Sequence, residues 1–278
     1  MDYKTLADAG NEKYTVGKRP LIQYPEGEVI DWYGYKRHNF TVAGCNAFIV
    51  EPPNPAPGLP WSWCLQWAEA FVPRTPALKL LERGFHHVHI DLFSTYMNEE
   101  GIRKAEEFYK LLQSLHFHKK AALIGLSYGG LFSFRWAAEH PETVGAIYAD
   151  APLCRFDFDP EGAIVPPSLA GFFHEAAVKH AAAYNTTVEK LAQHPLAPIN
   201  NMKHIAEERI PILAVRSGQD QSVIPEFNID LVEAALKKAG GDMEILRRDL
   251  YGHHPHGLDD PQYLVDFILQ YYPPFEEK

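Results

Sequence analysis

From residue 77 onward the chain alternates short apolar runs with amphipathic ones, and this rhythm restricts the fold more than any other feature. ALKLLERG has the spacing of a short helix closed at Gly84, FHHVHIDL reads as a strand, and GIRKAEEFYKLLQSLHF returns to apolar residues three and four apart. AALIGLS is then a strand, LFSFRWAAEH a helix stopped by Pro141, and VGAIYADAPL a strand. IPILAVRSG, FNIDLVEAALKKAGG, MEILRRDLYG and YLVDFILQYY continue as strand, helix, strand, helix. Strands that are apolar throughout must be buried on both faces. The alternation therefore predicts an α/β class fold: a doubly wound, mostly parallel sheet with helices on both sides.

The N-terminal part departs from this rhythm. EVIDWYGYKRHNFTV and GCNAFIVEP alternate apolar and polar residues as a hairpin does, and the proline-rich EPPNPAPGLP can continue neither helix nor strand. PWSWCLQWAEAF reads as a further strand with the loop that leaves it. A second interruption runs from Cys154 to Arg209 and contains the helical stretches AGFFHEAAVKHAAAYN and TVEKLAQH. We read it as a helical lid inserted at residues 153–209 of a single domain spanning 1–278. It is expected over the C-terminal edge of the sheet, where open α/β sheets bind ligands.

Composition narrows the function classes. The 278 residues carry a net charge of −10 and show no basic run, which argues against a nucleic-acid or anionic-membrane surface and for a small-molecule partner. No apolar stretch approaches the roughly 18 residues of a membrane span. The opening MDYKTLADAGNEKYT lacks the charged-then-apolar pattern of a signal peptide. Cys45, Cys64 and Cys154 are odd in number and have no metal-ligand spacing, as expected of a chain kept in the reducing cytoplasm. A signal peptide already removed would leave the same sequence, and the oligomeric state is left open.

GLSYGG, Gly125 to Gly130, stands where the strand AALIGLS meets the next helix. A glycine-flanked serine there is either a plain turn or a sharp strand-to-helix elbow that lifts the hydroxyl of Ser127 out of the sheet edge. A serine hydroxyl needs a base to act as a nucleophile, and that base needs an acid to orient it. Asp220, in RSGQDQSVIP, follows one strand; the histidines of YGHHPHGLDDP follow the next. Both loops lie at the same end of the sheet as the elbow. Asp150, closing the strand VGAIYAD, is the alternative acid, while Glu226 and Asp259 are expected at helix N-termini. For the base the candidates are His253, His256 and His254.

The pentapeptide Gly125-Leu126-Ser127-Tyr128-Gly129, the Gly218-x-Asp220 loop, Gly252-His253 before the last helix and His140-Pro141-Glu142 after the elbow helix resemble the α/β-hydrolase superfamily over about residues 40 to 275. GHHPHGLDDP together with the Trp-rich segment is similar to esterase-like hydrolases associated with carbohydrate degradation. The resemblance implies a serine hydrolase acting on a small-molecule carboxylic ester through an acyl-enzyme, with Ser127 as nucleophile, His253 as base and Asp220 as acid. It implies no cofactor. Other readings are a serine aminopeptidase-like enzyme and a non-catalytic ligand-binding protein on the same fold.

An acyl-transfer intermediate also needs two donors at its oxyanion. One is expected from the backbone N–H of Tyr128 and the other from the Trp61–Ser62–Trp63 segment, where the superfamily's lipases carry His-Gly-Gly. Trp61, Trp63, Trp67, Phe71 and Tyr128 either stack on a substrate or fill a core. His87 and His89 share one strand face but lack partner ligands, so no metal is assigned to them or to HHPH. His174, His180 and His194 read as solvated helix residues.

Overall fold

The computed structural model describes residues 22–158 and 167–272; the N-terminal segment read for a signal peptide and part of the 153–209 insertion lie outside them. Nine strands form one sheet in the order β1-β2-β3-β5-β4-β6-β7-β8-β9. β1 (Glu28–Trp32), β2 (Tyr35–Val42) and β3 (Cys45–Val50) are antiparallel neighbours. Their turns are two residues each, Tyr33-Gly34 and Ala43-Gly44, all four at positive φ, the geometry that matches the twist of a tight hairpin. Among β4 (Trp61–Gln66), β5 (His86–Ile90), β6 (Ala121–Leu126), β7 (Val144–Asp150), β8 (Ile212–Ser217) and β9 (Glu244–Arg248) the pairings are parallel, while β5 meets β3 antiparallel.

The apolar strand sequences have a direct packing cause. In β6, Ala121 and Leu123 enter the core on one face, and Ala122, Ile124 and Leu126 the core on the other. β8 divides the same way, with Ile212 and Ala214 opposite Leu213 and Val215. The second core is closed by α1 (Ala77–Glu82) and α7 (Gln262–Leu269), through Leu80, Leu81, Leu264, Val265 and Ile268. The first is covered by α2 (Glu99–Ser114), α3 (Tyr128–Glu139) and α6 (Ile229–Lys238). α2 begins where Asn98 accepts a hydrogen bond from Gly101 N–H, with Glu99 and Glu100 in its first turn facing the positive end of the helix dipole.

Between β7 and β8 the chain carries α4 (Pro167–Ala183), a 3-10 stretch at Val188–Gln193 where TVEKLAQH was expected as helix, and the short α5 (Lys203–Glu207). Phe173, Ala176, Ala177 and Ala181 of α4 are buried. The end of α4 is tied to α2 by Asn98, which donates to the Ala183 carbonyl, and by Tyr184, whose hydroxyl lies 2.9 Å from the carbonyls of Tyr96 and Met97. No helix among the described residues is long and apolar enough to cross a membrane.

Candidate active site

Ser127 sits between β6 and α3 with φ 51° and ψ −115°, a conformation that L side chains rarely adopt. Its backbone is pinned on both sides: its N–H donates to the Asp150 carbonyl, and its carbonyl accepts from Gly130 and Leu153. The surrounding glycines are required sterically. A Cβ on Gly125 would come 2.8 Å from the Gly130 Cα, and one on Gly130 would come 2.2 Å from the Pro152 Cβ. Strand, elbow and following loop are thus locked together with the serine side chain at the sheet's C-terminal edge.

Asp220 is reached through the loop after β8 and His253 through the loop after β9. Gly218 N–H donates to the Arg248 carbonyl and Gln219 N–H to the Tyr251 carbonyl, stitching these loops side by side. Asp220 is buried; one carboxylate oxygen accepts from the N–H groups of Ser222 and Val223, both at 2.8 Å, and the other lies 2.7 Å from His253 Nδ1. His253 Nε2 lies 2.9 Å from Ser127 Oγ. The arrangement is a continuous hydrogen-bonded chain from carboxylate to imidazole to hydroxyl, able to take the serine proton and stabilise the resulting imidazolium.

Asp150 and His256 form a separate pair. His256 Nδ1 lies 2.8 Å from one Asp150 oxygen, and the other accepts from the Tyr148 hydroxyl at 2.7 Å and Gly257 N–H at 2.9 Å. Burial alone would raise this carboxyl; the hydrogen bonds from His256, Tyr148 and Gly257 outweigh it and hold the group below its ordinary value.

Tyr128, first residue of α3, has an N–H free of intrahelical bonding by its position in the first turn. Trp61 and Ser62 are a correction. Both lie inside β4, completely buried, with Ser62 paired to Ala122 five residues before the elbow. At about 3.3 Å per residue that is roughly 16 Å below the serine. The strand runs on to Gln66, which pairs with Gly125, so the loop that reaches the elbow begins at Trp67. Trp61 and Trp63 belong to the core with Phe108 and Trp136, whereas Trp67, Phe71 and Tyr128 line the hollow above Ser127.

That hollow has a volume of about 410 Å³. Its walls are mainly apolar, from Trp67, Phe71, Tyr128, Leu153, Phe158 and Phe173, and no lysine, arginine, aspartate or glutamate lines it among the described residues. A larger groove of about 730 Å³ lies beyond Trp67 and Ala70, with Arg37, Glu69 and Asp91 in its walls and no member of the Ser127 chain.

His180 is also a correction. It is fully buried, its Nδ1 2.9 Å from the Tyr128 hydroxyl, because the face of α4 that carries it turns onto the elbow. His194 packs on Phe156 and Tyr184, and His174 is exposed. His87 and His89 are held inside the sheet by Ser62 Oγ and the Cys64 carbonyl. Glu226 and Asp259 form ion pairs with Arg216 and Arg74. Among the described residues one cluster has metal-ligating character, His253, His254 and His256.

The family model described as alpha/beta hydrolase fold matches residues 94–206. An esterase/lipase from an uncultured bacterium is similar in structure, with a TM-score of 0.60 at 14% identity over 97% of each chain. Pyrococcus horikoshii acylaminoacyl peptidase gives a TM-score of 0.60 at 14% identity, covering 88% of this chain and 42% of that one. Porphyromonas gingivalis dipeptidyl peptidase 4 gives 0.59 at 16% identity, covering 85% and 35%. The chain thus spans less than half the length of these two peptidases. No curated protein matches the sequence. The chain has the α/β-hydrolase fold.

Proposed function

We propose that the protein is a serine hydrolase that cleaves carboxylic esters of small or medium, uncharged, largely apolar groups. The observation that carries this is the hydrogen-bonded chain Asp220–His253–Ser127 at the floor of an apolar hollow. His253 Nε2 takes the hydroxyl proton as Ser127 Oγ attacks the ester carbonyl carbon. The negative charge on the former carbonyl oxygen is met by Tyr128 N–H and by an N–H of the Trp67–Ala68 segment. His253 then gives the proton to the leaving alcohol. Water, deprotonated by the same imidazole, attacks the acyl-enzyme and releases the acid and free Ser127.

Walls that carry no charged side chain among the described residues favour an ester over an aminopeptidase substrate, whose free ammonium calls for a carboxylate beside the scissile bond. The three free cysteines accord with a reducing compartment, and we assign the protein to the cytoplasm on that ground. The test is labelling with a fluorophosphonate probe, followed by rates on p-nitrophenyl esters of increasing acyl length and on aminoacyl amides. We expect one adduct, lost in Ser127→Ala, and hydrolysis of acyl esters in preference to amides. Folded protein that takes no label would move the reading to ligand binding, and preference for a free-amine amide would move it to a peptidase.

A further inference from the structure

We propose that His253, His254 and His256 form a site for a divalent transition-metal ion of the zinc type, and that an ion held there excludes the acylation chemistry. One ligand atom from each ring lies within 4.8 Å of the other two. The rings meet edge to face at 60°, 81° and 89°, with centroids 4.8 to 5.0 Å apart, so no ring of the three is stacked on another. A four-coordinate ion with nitrogens at about 2.1 Å needs those nitrogens roughly 3.4 Å apart. Reaching that spacing needs a side-chain movement, for which the exposed His254, its ring stacked on Phe71, is the available group.

Two of the three rings already have the support that metal-ligating histidines require. His253 Nδ1 and His256 Nδ1 are each hydrogen-bonded to a buried carboxylate, Asp220 at 2.7 Å and Asp150 at 2.8 Å. Such bonds fix the ring, set its tautomer and leave Nε2 as the ligand atom. All three histidines line the 410 Å³ hollow, so the site is reached from solvent and its fourth position is open to water. A donor set made only of imidazoles suits zinc, copper or nickel and disfavours magnesium and calcium.

The exclusion follows from one atom. His253 Nε2 is 2.9 Å from Ser127 Oγ; a lone pair given to an ion cannot accept the serine proton. This clause rests on the proposed hydrolase function, whereas ion binding itself does not.

The test is calorimetric titration of chelator-treated protein with micromolar Zn²⁺, alongside fluorophosphonate labelling at each degree of zinc occupancy. We expect one ion per chain in the wild type and in Ser127→Ala. Binding should weaken on the order of a hundredfold in His254→Ala, whose exposed side chain leaves the core untouched. Labelling should slow in step with occupancy and recover with EDTA. Co²⁺ added to the wild type should give the visible absorption of a four-coordinate ion, a readout that needs no variant. No zinc uptake by the wild type, or equal uptake by His254→Ala, overturns the site. Zinc uptake with unaltered labelling overturns the exclusion, and zinc uptake by protein that never labels removes the hydrolase function while leaving the site standing.

Discussion

His256 rests on Asp150 at 2.8 Å, alongside His253 resting on Asp220 at 2.7 Å, so one loop carries two histidines each braced by its own buried carboxylate. The pairs differ at the other ring nitrogen, where His253 has Ser127 Oγ. Asp220→Asn would keep its carbonyl on the N–H groups of Ser222 and Val223 and turn its amide toward His253. The imidazole would then carry its proton on Nε2 and could not accept the serine proton. Ester hydrolysis should fall by about 10⁴ with little change in stability. Asp150→Asn should do the reverse. It disturbs a fully buried carboxylate that takes three hydrogen bonds, costing about 2 to 3 kcal/mol, and should leave the rate within about tenfold. Rates and urea midpoints of both variants decide the matter, and the opposite pattern would make Asp150 the acid.

Strain at Ser127 gives a second prediction. With φ at 51° and ψ at −115°, the backbone is held in place by Asp150, Leu153 and Gly130 against its own preference. Ser127→Gly and Ser127→Ala both remove the hydroxyl, and only the first relieves the backbone. Both should be inactive, and the glycine variant should be more stable than the alanine variant by about 1 kcal/mol. That figure sets the 1 to 3 kcal/mol expected of such strain against the extra freedom glycine gains when unfolded. Equal melting temperatures would mean that the elbow stores no strain.

The parallel sheet was legible because strands buried on both faces must be apolar at successive positions, as Ala121–Leu126 and Ile212–Val215 are. Ser127, Asp220 and His253 were legible as candidates because each stands in the loop beyond the C-terminal end of a parallel strand. What the sequence left open has a physical cause. Choosing between His253 and His256 depends on which ring nitrogen faces Ser127, a matter of loop path that local pattern does not encode. Trp61 and Ser62 were misplaced because a fully buried strand has no period to mark its end, and β4 runs four residues past Ser62, to Gln66. His180 looked solvated as a polar residue flanked by Lys179 on a surface helix, and only packing onto Tyr128 reveals it as buried.

The interior histidines make stability depend on pH. Burial pushes His87 and His180 down to about 3 and His86 down to about 4. Each stays neutral in the folded chain and takes up a proton on unfolding below about pH 6.5, so the unfolded state binds more protons and stability falls as pH drops. Their contribution is intact above pH 6.5 and is lost progressively toward pH 4 and below, at up to about 1.4 kcal/mol per pH unit for each group. Urea unfolding at pH 7 and pH 5 should show the protein several kcal/mol weaker in acid. His180→Gln should flatten the slope by roughly one group's share. An unchanged slope in that variant would show that His180 takes up its proton as readily in the folded protein as in the unfolded one.

Neighbouring aromatics of α4 should separate binding from folding. Phe172 is 62% exposed yet lines the hollow above Ser127, whereas Phe173 also lines it and is 4% exposed. Phe172 can therefore gain burial only when a substrate covers it, while Phe173 already contributes to the folded state. Phe172→Ala should raise KM for hydrophobic esters about tenfold, the loss of about 1.4 kcal/mol of apolar contact, and leave kcat and stability near wild type. Phe173→Ala should lower the unfolding free energy by about 3 kcal/mol through the cavity it leaves. The Phe172 effect should grow with acyl-chain length, because a longer chain reaches farther up the apolar wall. A Phe172→Ala enzyme with unchanged KM across the ester series would place the substrate elsewhere, the groove beyond Trp67 being the next candidate.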